Sequence, residues 1–210
     1  MHFTGVPMDA DNNRSDAVPD DGPGSLTNQF LIAMPHLDDP WFNHTVTYLW
    51  KHSAQGALGL VINKPSSLRV AELMSELDID TSARLGDLIF HRQHVMSGGP
   101  VEKNKGFILH EAGRDWEYTL PVTDELSISM SRDILVDIAE GKGPENSLIA
   151  LGCAGWEAGQ LEQEISDNFW LTVPALPAII FSRDHDSKAE AAAALLGVSL
   201  NQLSSIAGHS

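Results

Sequence analysis

The only cysteine of the chain, Cys153, lies in the motif LGCAGW (151–156), where the sequence predicts a strand followed by a helix. A nucleophile on a strained strand-to-helix turn needs small flanking residues, and the order Gly-Cys-Ala-Gly matches that pattern only loosely. The start of a helix would lower the pKa of the thiol, whereas burial against Leu151 and Trp156 would raise it. Because no histidine partner is evident, we interpret Cys153 as a small core residue, protonated at neutral pH and replaceable by Ser or Ala.

Two other motifs could contact a ligand, since each follows a predicted strand. They are Asn63-Lys64-Pro65 and Gly98-Gly99-Pro100. A Gly-Gly turn can expose backbone amides to an anion, and a lysine adds charge, although tight structural turns use the same residues. Neither motif is a phosphate-binding or dinucleotide-binding loop. If the strands share one sheet, their ends could form a common cleft. The residues predicted to bind a ligand or partner there are Asn63, Lys64, Gly98, Gly99, Pro100, Cys153, Gly155 and Trp156.

Imidazole and carboxylate groups, the usual metal ligands, are concentrated in one loop. They are His36, Asp38, Asp39 and His44, while His110 and His209 lie elsewhere. The spacing His-Glu-x-x-His is absent, and Asp-Asp-Pro is also ordinary turn and helix-cap chemistry. The sequence therefore predicts neither a metal site nor a cofactor, and no catalytic residue is assigned.

The elements that must position these residues follow from hydrophobic periodicity. Strands are predicted at 30–34, 45–52, 56–63, 95–97, 107–109, 116–122, 126–129, 147–151, 170–173 and 178–181. The segments 45–52 and 56–63 are close enough to form a hairpin. Helices are predicted over 70–77, from about Ile134 to Gly141, and after residue 156. A further helix is predicted to begin at the capping pair Ser187 and Glu190 and to end at Gly197. A second capping pair, Ser199 and Gln202, predicts a final short helix. Irregular alternation of strands and helices favours a mixed sheet flanked by helices over a doubly wound parallel sheet.

Net charge limits the choice of partners. The chain of 210 residues has 13 Lys plus Arg against 29 Asp plus Glu, a formal charge of -16. Such a chain repels nucleic acid and anionic lipid, so direct nucleic-acid binding and membrane association are not expected. One cysteine, no apolar run of membrane-spanning length and no signal peptide indicate a cytoplasmic protein. Residues 1–26 are acidic and proline-rich and predict a disordered tail, leaving residues 27–210 as one domain.

Seven motifs occur in order between about residue 27 and residue 209. They are FLIAMP (30–35) with Asp38, GLVINKP (59–65), GGPV (98–101), LG (151–152) with AGW (154–156), GQLE (159–162), N-x-WL (168–171) and AGH (207–209). Together they resemble the YqgE/AlgH family of small bacterial proteins. The resemblance implies an α/β (α+β) domain whose mixed, bifurcated sheet closes into a pseudo-barrel with helices outside. It also implies a transcriptional regulator without an established reaction.

Two functions of different classes are compatible with this sequence. The first is a binding module that regulates transcription indirectly, through a protein partner or a small ligand. The second is an enzyme or thiol sensor centred on Cys153. Family members often carry tyrosine at this position, which weakens a shared catalytic role for the thiol, and we favour the non-enzymatic module. A His or carboxylate within hydrogen-bond reach of Cys153 would favour the second function.

Overall fold

The computed structural model of the chain describes residues 24–200. Most of the predicted N-terminal tail, Gln202 of the second capping pattern and the histidine of the final motif, His209, lie outside the described residues. Among the helices of the described part, none has the length and apolar character needed to cross a membrane.

The described residues form one domain of ten strands and six α-helices. The strands are β1 (Gln29–Ala33), β2 (Val46–Ser53), β3 (Gly56–Val61), β4 (Pro65–Arg69), β5 (His94–Ser97), β6 (Val101–Glu111), β7 (Thr119–Pro121), β8 (Leu126–Ser129), β9 (Ser147–Glu157) and β10 (Trp170–Pro174). The helices are α1 (Val70–Glu76), α2 (Leu88–Arg92), α3 (Arg132–Glu140), α4 (Gln160–Ser166), α5 (Pro177–Ile180) and α6 (Lys188–Ala194), with a short 3-10 helix at Ser82–Arg84.

All ten strands belong to one sheet that divides at β9. The main path runs β10-β1-β2-β3-β9-β6-β8-β7, and β5 joins β9 in parallel while also pairing with β4. β5 pairs with the first half of β9, at Ala150 and Leu151, and β3 pairs antiparallel with the second half, from Ala154 to Glu157. The sheet is otherwise antiparallel and curls into a half-barrel. The predicted single α+β domain with a bifurcated mixed sheet and flanking helices is confirmed.

The side chains of β9 enter all three hydrophobic cores of the domain. Cys153 lies in the core on the inside of the half-barrel, against which α5 and α6 also pack. Ile149 lies in the core beneath α1 and α3, and Trp156 lies in the core beneath α4. Because successive side chains of a strand point to opposite faces, one strand can supply separate cores. β9 therefore fixes the relative positions of the helices around the sheet.

Several local predictions are confirmed. The hairpin of β2 and β3 forms with Ser53 paired to Gly56, and α1 follows the predicted apolar spacing. The second predicted helix, α3, ends at Gly141, which adopts a left-handed conformation with φ of 76°. Such a residue satisfies the last carbonyl groups of a helix, and glycine adopts this conformation without a steric penalty.

Other local predictions are wrong. The predicted strand at 178–181 is the helix α5, which Pro177 starts at its first turn; a short apolar run alone does not distinguish the two structures. The predicted strand at 116–122 is only Thr119–Pro121, because the Trp116 amide donates to Thr119 Oγ1 instead of a neighbouring strand. The Ser187 hydroxyl donates to the Asp184 carbonyl, so it does not cap α6 as predicted.

Candidate functional site

The two glycine motifs meet where the sheet divides. The amide of Gly98 donates to the carbonyl of Leu151 at 2.8 Å, and Gly98 accepts from the amide of Val61 at 2.9 Å. A side chain on Gly99 would collide with the backbone of Cys153, so the two segments approach as closely as they do only because position 99 lacks one. The Lys64 carbonyl accepts from Ser97 at 2.8 Å. The motifs are thus brought together as predicted, but by backbone contacts within the sheet.

Cys153 lies inside the sheet and not at a helix start. β9 continues to Glu157 and α4 begins only at Gln160, so the predicted strand-to-helix turn at the cysteine is wrong. The residue is 3% exposed, and burial raises the pKa of its thiol to about 12, with the Glu102 charge adding to the effect and Lys105 opposing it. Both the burial and the raised pKa support the prediction that the thiol is protonated at neutral pH.

Asn63 and Lys64 hold the loop that joins β1 and β2. The Asn63 side chain accepts from the Val46 amide at 2.8 Å and donates to the His44 carbonyl at 2.9 Å. Lys64 Nζ donates to the Pro40 and Trp41 carbonyls at 3.2 and 3.0 Å. Both side chains therefore have structural contacts in this loop.

Gly155, Trp156 and Pro100 differ in their surroundings. Gly155 is exposed, and an added Cβ there would make only ordinary contacts with Leu58 and Val101. Trp156 is buried, and its indole donates to Glu164 Oε2 at 2.9 Å. Pro100 is half-buried between Gly99 and the start of β6.

The loop with the possible metal ligands has local contacts of its own. Asp39 Oδ1 accepts from the amides of Trp41 and Phe42 at 2.8 and 3.0 Å, which is cap chemistry, and the His36 ring packs on Phe169. Within residues 24–200 no three His, Cys, Asp or Glu side chains converge in a way that could hold a metal ion.

A cleft of about 520 Å³ lies between α2, β5 and the segment from α5 to α6. Its lining includes apolar side chains, among them Leu88, Ile89 and Phe181, and none of the eight residues predicted from the sequence. Its charged and imidazole residues are Arg84, Asp87, Arg92, His94, Glu145, Arg183, His185 and Lys188. These positions are far apart in sequence and form no local motif, so sequence reasoning missed them.

Lys188 is buried at the inner end of this cleft, with 1% of its surface exposed. Its Nζ donates to the carbonyls of Ile62 and Ile180 at 2.9 and 2.7 Å, and no carboxylate among the described residues pairs with it. Burial lowers the pKa of the amine to about 8. At neutral pH the cleft therefore contains a buried charge that only carbonyl dipoles compensate.

Two histidines also line this cleft. His94 Nδ1 donates to the Ser66 carbonyl at 2.9 Å, which leaves Nε2 as the second ring nitrogen available to a ligand. His185 Nδ1 is buried without a hydrogen-bond partner among the described residues. Burial lowers the pKa of His185, and the charges of Lys188 and His94 lower it further. The cleft thus combines polar groups that have unused hydrogen-bonding capacity with apolar walls.

The fold and the cleft define a small α+β protein with a pocket lined by cations and apolar side chains. A sequence profile of the family described as AlgH-like (DUF179) matches residues 30–201. The chain belongs to this AlgH-like family, which confirms the resemblance found in the sequence.

Similar proteins support this assignment. The UPF0301 protein AlgH of Pseudomonas aeruginosa is 51% identical over 187 residues, covering 89% of this chain and 97% of that protein. A UPF0301 protein of Chromobacterium violaceum is 47% identical over 188 residues, covering 88% and 97%. The solution structure of P. aeruginosa AlgH matches with a TM-score of 0.71 at 49% identity, covering 90% of this chain and 98% of that one. The crystal structure of DIP2367 from Corynebacterium diphtheriae, at 20% identity and a TM-score of 0.57 over 72% of this chain and 76% of that one, is similar in fold alone.

Proposed function

We propose that this chain is a ligand-binding regulatory module and not a standard enzyme, and that the cleft between α2, β5 and α6 is its binding site. The observation that carries the proposal is the cleft itself. Its volume of about 520 Å³ is typical of small-molecule sites, which combine apolar walls with a few polar groups. Leu88 and Ile89 are 68% and 53% exposed at its edge, so apolar surface is available to a ligand.

Regulation of transcription, which the family resemblance implies, would then be indirect. A formal charge of -16 opposes contact with a phosphate backbone. We expect no retardation of duplex DNA by micromolar protein at physiological salt. Retardation that weakens as salt rises would contradict indirect regulation.

A ligand screen by NMR tests the proposed site. A library of charged and neutral small molecules is added to the ¹⁵N-labelled protein, and compounds that shift the amides of α2, β5 and residues 181–188 are titrated. Ser182→Trp narrows the cleft, since Ser182 is a half-buried lining residue, and should weaken binding of these compounds. Ser67→Trp on the exposed face of β4 is the matched control. If no compound shifts the cleft, or if both variants bind like the native protein, the proposed site is wrong.

A surface for a protein partner around Trp41 is a second candidate. Lys64 and Lys103 both place their Nζ over this half-buried indole, at 5.1 and 4.7 Å from its centre. Aromatic and cationic side chains are common anchors in protein interfaces. Capture of partners from lysate by the native protein and by Trp41→Ala tests this surface; equal recovery of every partner would contradict it. The predicted partner role of Lys64 and Gly155 stays a prediction that depends on this test.

The alternative of an enzyme or sensor based on Cys153 has less support. The thiol is buried and its pKa is raised, whereas reactive cysteines are partly exposed and have lowered pKa values. Among the described residues no histidine or carboxylate forms a hydrogen bond to it. Burial of Cys153 therefore favours the binding module.

A further inference from the structure

We propose that the cleft binds the phosphate group of a small organic phosphate, held between Arg92, Arg183, His94 and His185, with the organic part on the apolar wall. This inference rests on the proposed function and names its ligand class. Four observations support it: two guanidinium groups without partners, an excess of cations in the cleft, an imidazole that can respond to an anion, and exposed apolar side chains beside them.

The first observation concerns Arg92 and Arg183. Acidic residues outnumber basic ones in this chain by 29 to 13, so possible carboxylate partners are plentiful. Arg84 pairs with Asp87, and Arg114 pairs with Asp137, each at 2.9 Å. Within residues 24–200, however, neither Arg92 nor Arg183 has a hydrogen bond or ion pair from its side chain. Both line the same cleft, where their planar forks could bind a tetrahedral oxyanion in bidentate fashion.

The second observation is the charge balance of the residues that line the cleft. Of its two carboxylates, Asp87 is already neutralised by Arg84 and accepts from two backbone amides, which leaves Glu145. The cations facing it are Arg92, Arg183 and Lys188. Like charges in a partly buried site repel each other, and a bound dianion would relieve that repulsion.

The third observation is that the His185 imidazole can respond to an anion. His185 faces Lys188 on its own segment and His94 from β5, and both lower its pKa, while Asp184 and Asp186 oppose them. A dianion beside these groups favours the protonated imidazole, so binding should take up protons near neutral pH. Protonated His185 would also gain a donor at Nδ1, the buried atom that lacks a partner among the described residues.

The apolar wall indicates what else the ligand contains. Leu88 and Ile89 stand exposed at the edge of the cleft, next to Arg92 on the same short helix. An inorganic anion would leave this surface in water, whereas an ester with an aromatic or aliphatic group would cover it. Phenyl phosphate is a simple probe that has both parts.

The test compares four probes by calorimetry and NMR at constant ionic strength: inorganic phosphate, sulfate, phenyl phosphate and benzyl alcohol. We expect phenyl phosphate to bind more tightly than inorganic phosphate and to shift the imidazole signals of His94 and His185. The double variant Arg92→Gln/Arg183→Gln should weaken its binding by more than about tenfold, since both guanidinium groups would donate charge-assisted hydrogen bonds to the phosphate. The control Lys51→Gln/Arg114→Gln removes the same net charge outside the cleft and should bind like the native protein.

Sulfate reports proton uptake by the protein alone, because sulfate itself remains a dianion between pH 6 and pH 8. Its affinity should increase as pH falls from 8 to 6, and His185→Gln should reduce that increase. Binding of benzyl alcohol in the cleft without binding of any anion would overturn the phosphate inference and leave the proposed function standing. A cleft that binds none of the four probes and no compound of the library would overturn both. Anion binding that the double arginine variant retains in full would also overturn the inference.

Discussion

The indole N–H groups of Trp156 and Trp170 donate to the same carboxylate oxygen, Glu164 Oε2, at 2.9 and 2.8 Å. The two rings meet edge to face with centroids 6.0 Å apart, so β9 and β10 are connected through one side chain of α4. Because both indoles are buried, their donors need an acceptor inside the protein. This contact explains why the tryptophan of the AGW motif is followed by a glutamate in the next helix.

Glu164→Ala should lower the free energy of unfolding by about 2–4 kcal/mol, because it leaves two buried donors without an acceptor. Glu164→Gln keeps a carbonyl oxygen as an acceptor, so it should lower the free energy of unfolding by less. The exposed variant Gln163→Ala on the same helix is the control and should change little. Urea unfolding followed by tryptophan fluorescence measures all three. Equal stability of the two Glu164 variants would contradict the role of the shared acceptor.

Gly99→Ala should destabilise the protein by about 1–3 kcal/mol or prevent folding, because the new Cβ meets the Cys153 backbone, which cannot move aside. Gly86→Ala is the matched control, since nothing lies within 4 Å of a Cβ at that position. Thermal unfolding of the two variants provides the comparison. A Gly99→Ala protein as stable as the control would mean that the contact between β9 and the turn at Gly99 is not tight.

Cys153 in the folded protein should react with iodoacetamide far more slowly at pH 8 than in the urea-unfolded chain. The folded pKa of about 12 lies above the ordinary value of 9.0, so the contribution of the thiol to stability is complete below pH 9 and is lost as pH rises towards 12. The Cys153→Ala variant should fold, and its stability should lack the pH-dependent contribution of the thiol. An alkylation midpoint well below about 8.5 in the folded protein would instead support a thiol sensor.

Lys188 should make stability depend on pH in the opposite sense. Its folded pKa of about 8 lies below the ordinary 10.5, so the unfolded chain binds the proton more tightly, and stability rises with pH between these values. Between pH 8 and pH 10.5 the free energy of unfolding of the native protein should rise by on the order of 3 kcal/mol relative to that of Lys188→Met. Urea unfolding at several pH values, without ligand, measures the difference. A constant difference would show that Lys188 keeps its ordinary pKa.

Limited proteolysis should remove the acidic N-terminal segment and stop close to Gly24. Ser25 donates to the His52 carbonyl at 3.2 Å and the Leu26 amide donates to His52 Nδ1 at 3.0 Å, so the chain is bound to β2 from Ser25 onwards. Mass spectrometry of the resistant product locates the cut. Resistance of the full-length chain would contradict the predicted disordered tail.

The elements whose signals are local are predictable from the sequence. The spacing of Val70, Leu73 and Met74 predicts α1 because neighbouring turns of one helix decide it. The short strand β4 and the five-residue α2 were missed, since neither is long enough to show a period. The LGCAGW motif was misread at its end because glycine within a strand resembles a turn signal when the pairing partners are not known.

The cleft could not be predicted because its residues meet only through the tertiary fold. His94 and His185 belong to β5 and to the segment before α6, and no spacing in the sequence relates them. Lys188 begins a helix rich in alanine, where a lysine is usually exposed; here its Nζ reaches the carbonyl of Ile62. In contrast, motifs such as Gly98-Gly99 can be recognised in the sequence, because the close backbone contacts of the fold require glycine at these positions.

The division of the sheet at β9 also determines the order in which the chain can fold. β9 is the ninth of ten strands and pairs with β3, β5 and β6, which all precede it. During synthesis these earlier strands leave the ribosome without the strand that joins them. The branch through β5 and β6 cannot close until residues 147–153 are available, and the branch through β3 needs residues 154–157. Contacts between such distant segments are slow to form, and the exposed strand edges can pair with other chains in the meantime. The period before β9 emerges is therefore when the nascent protein most needs protection from aggregation.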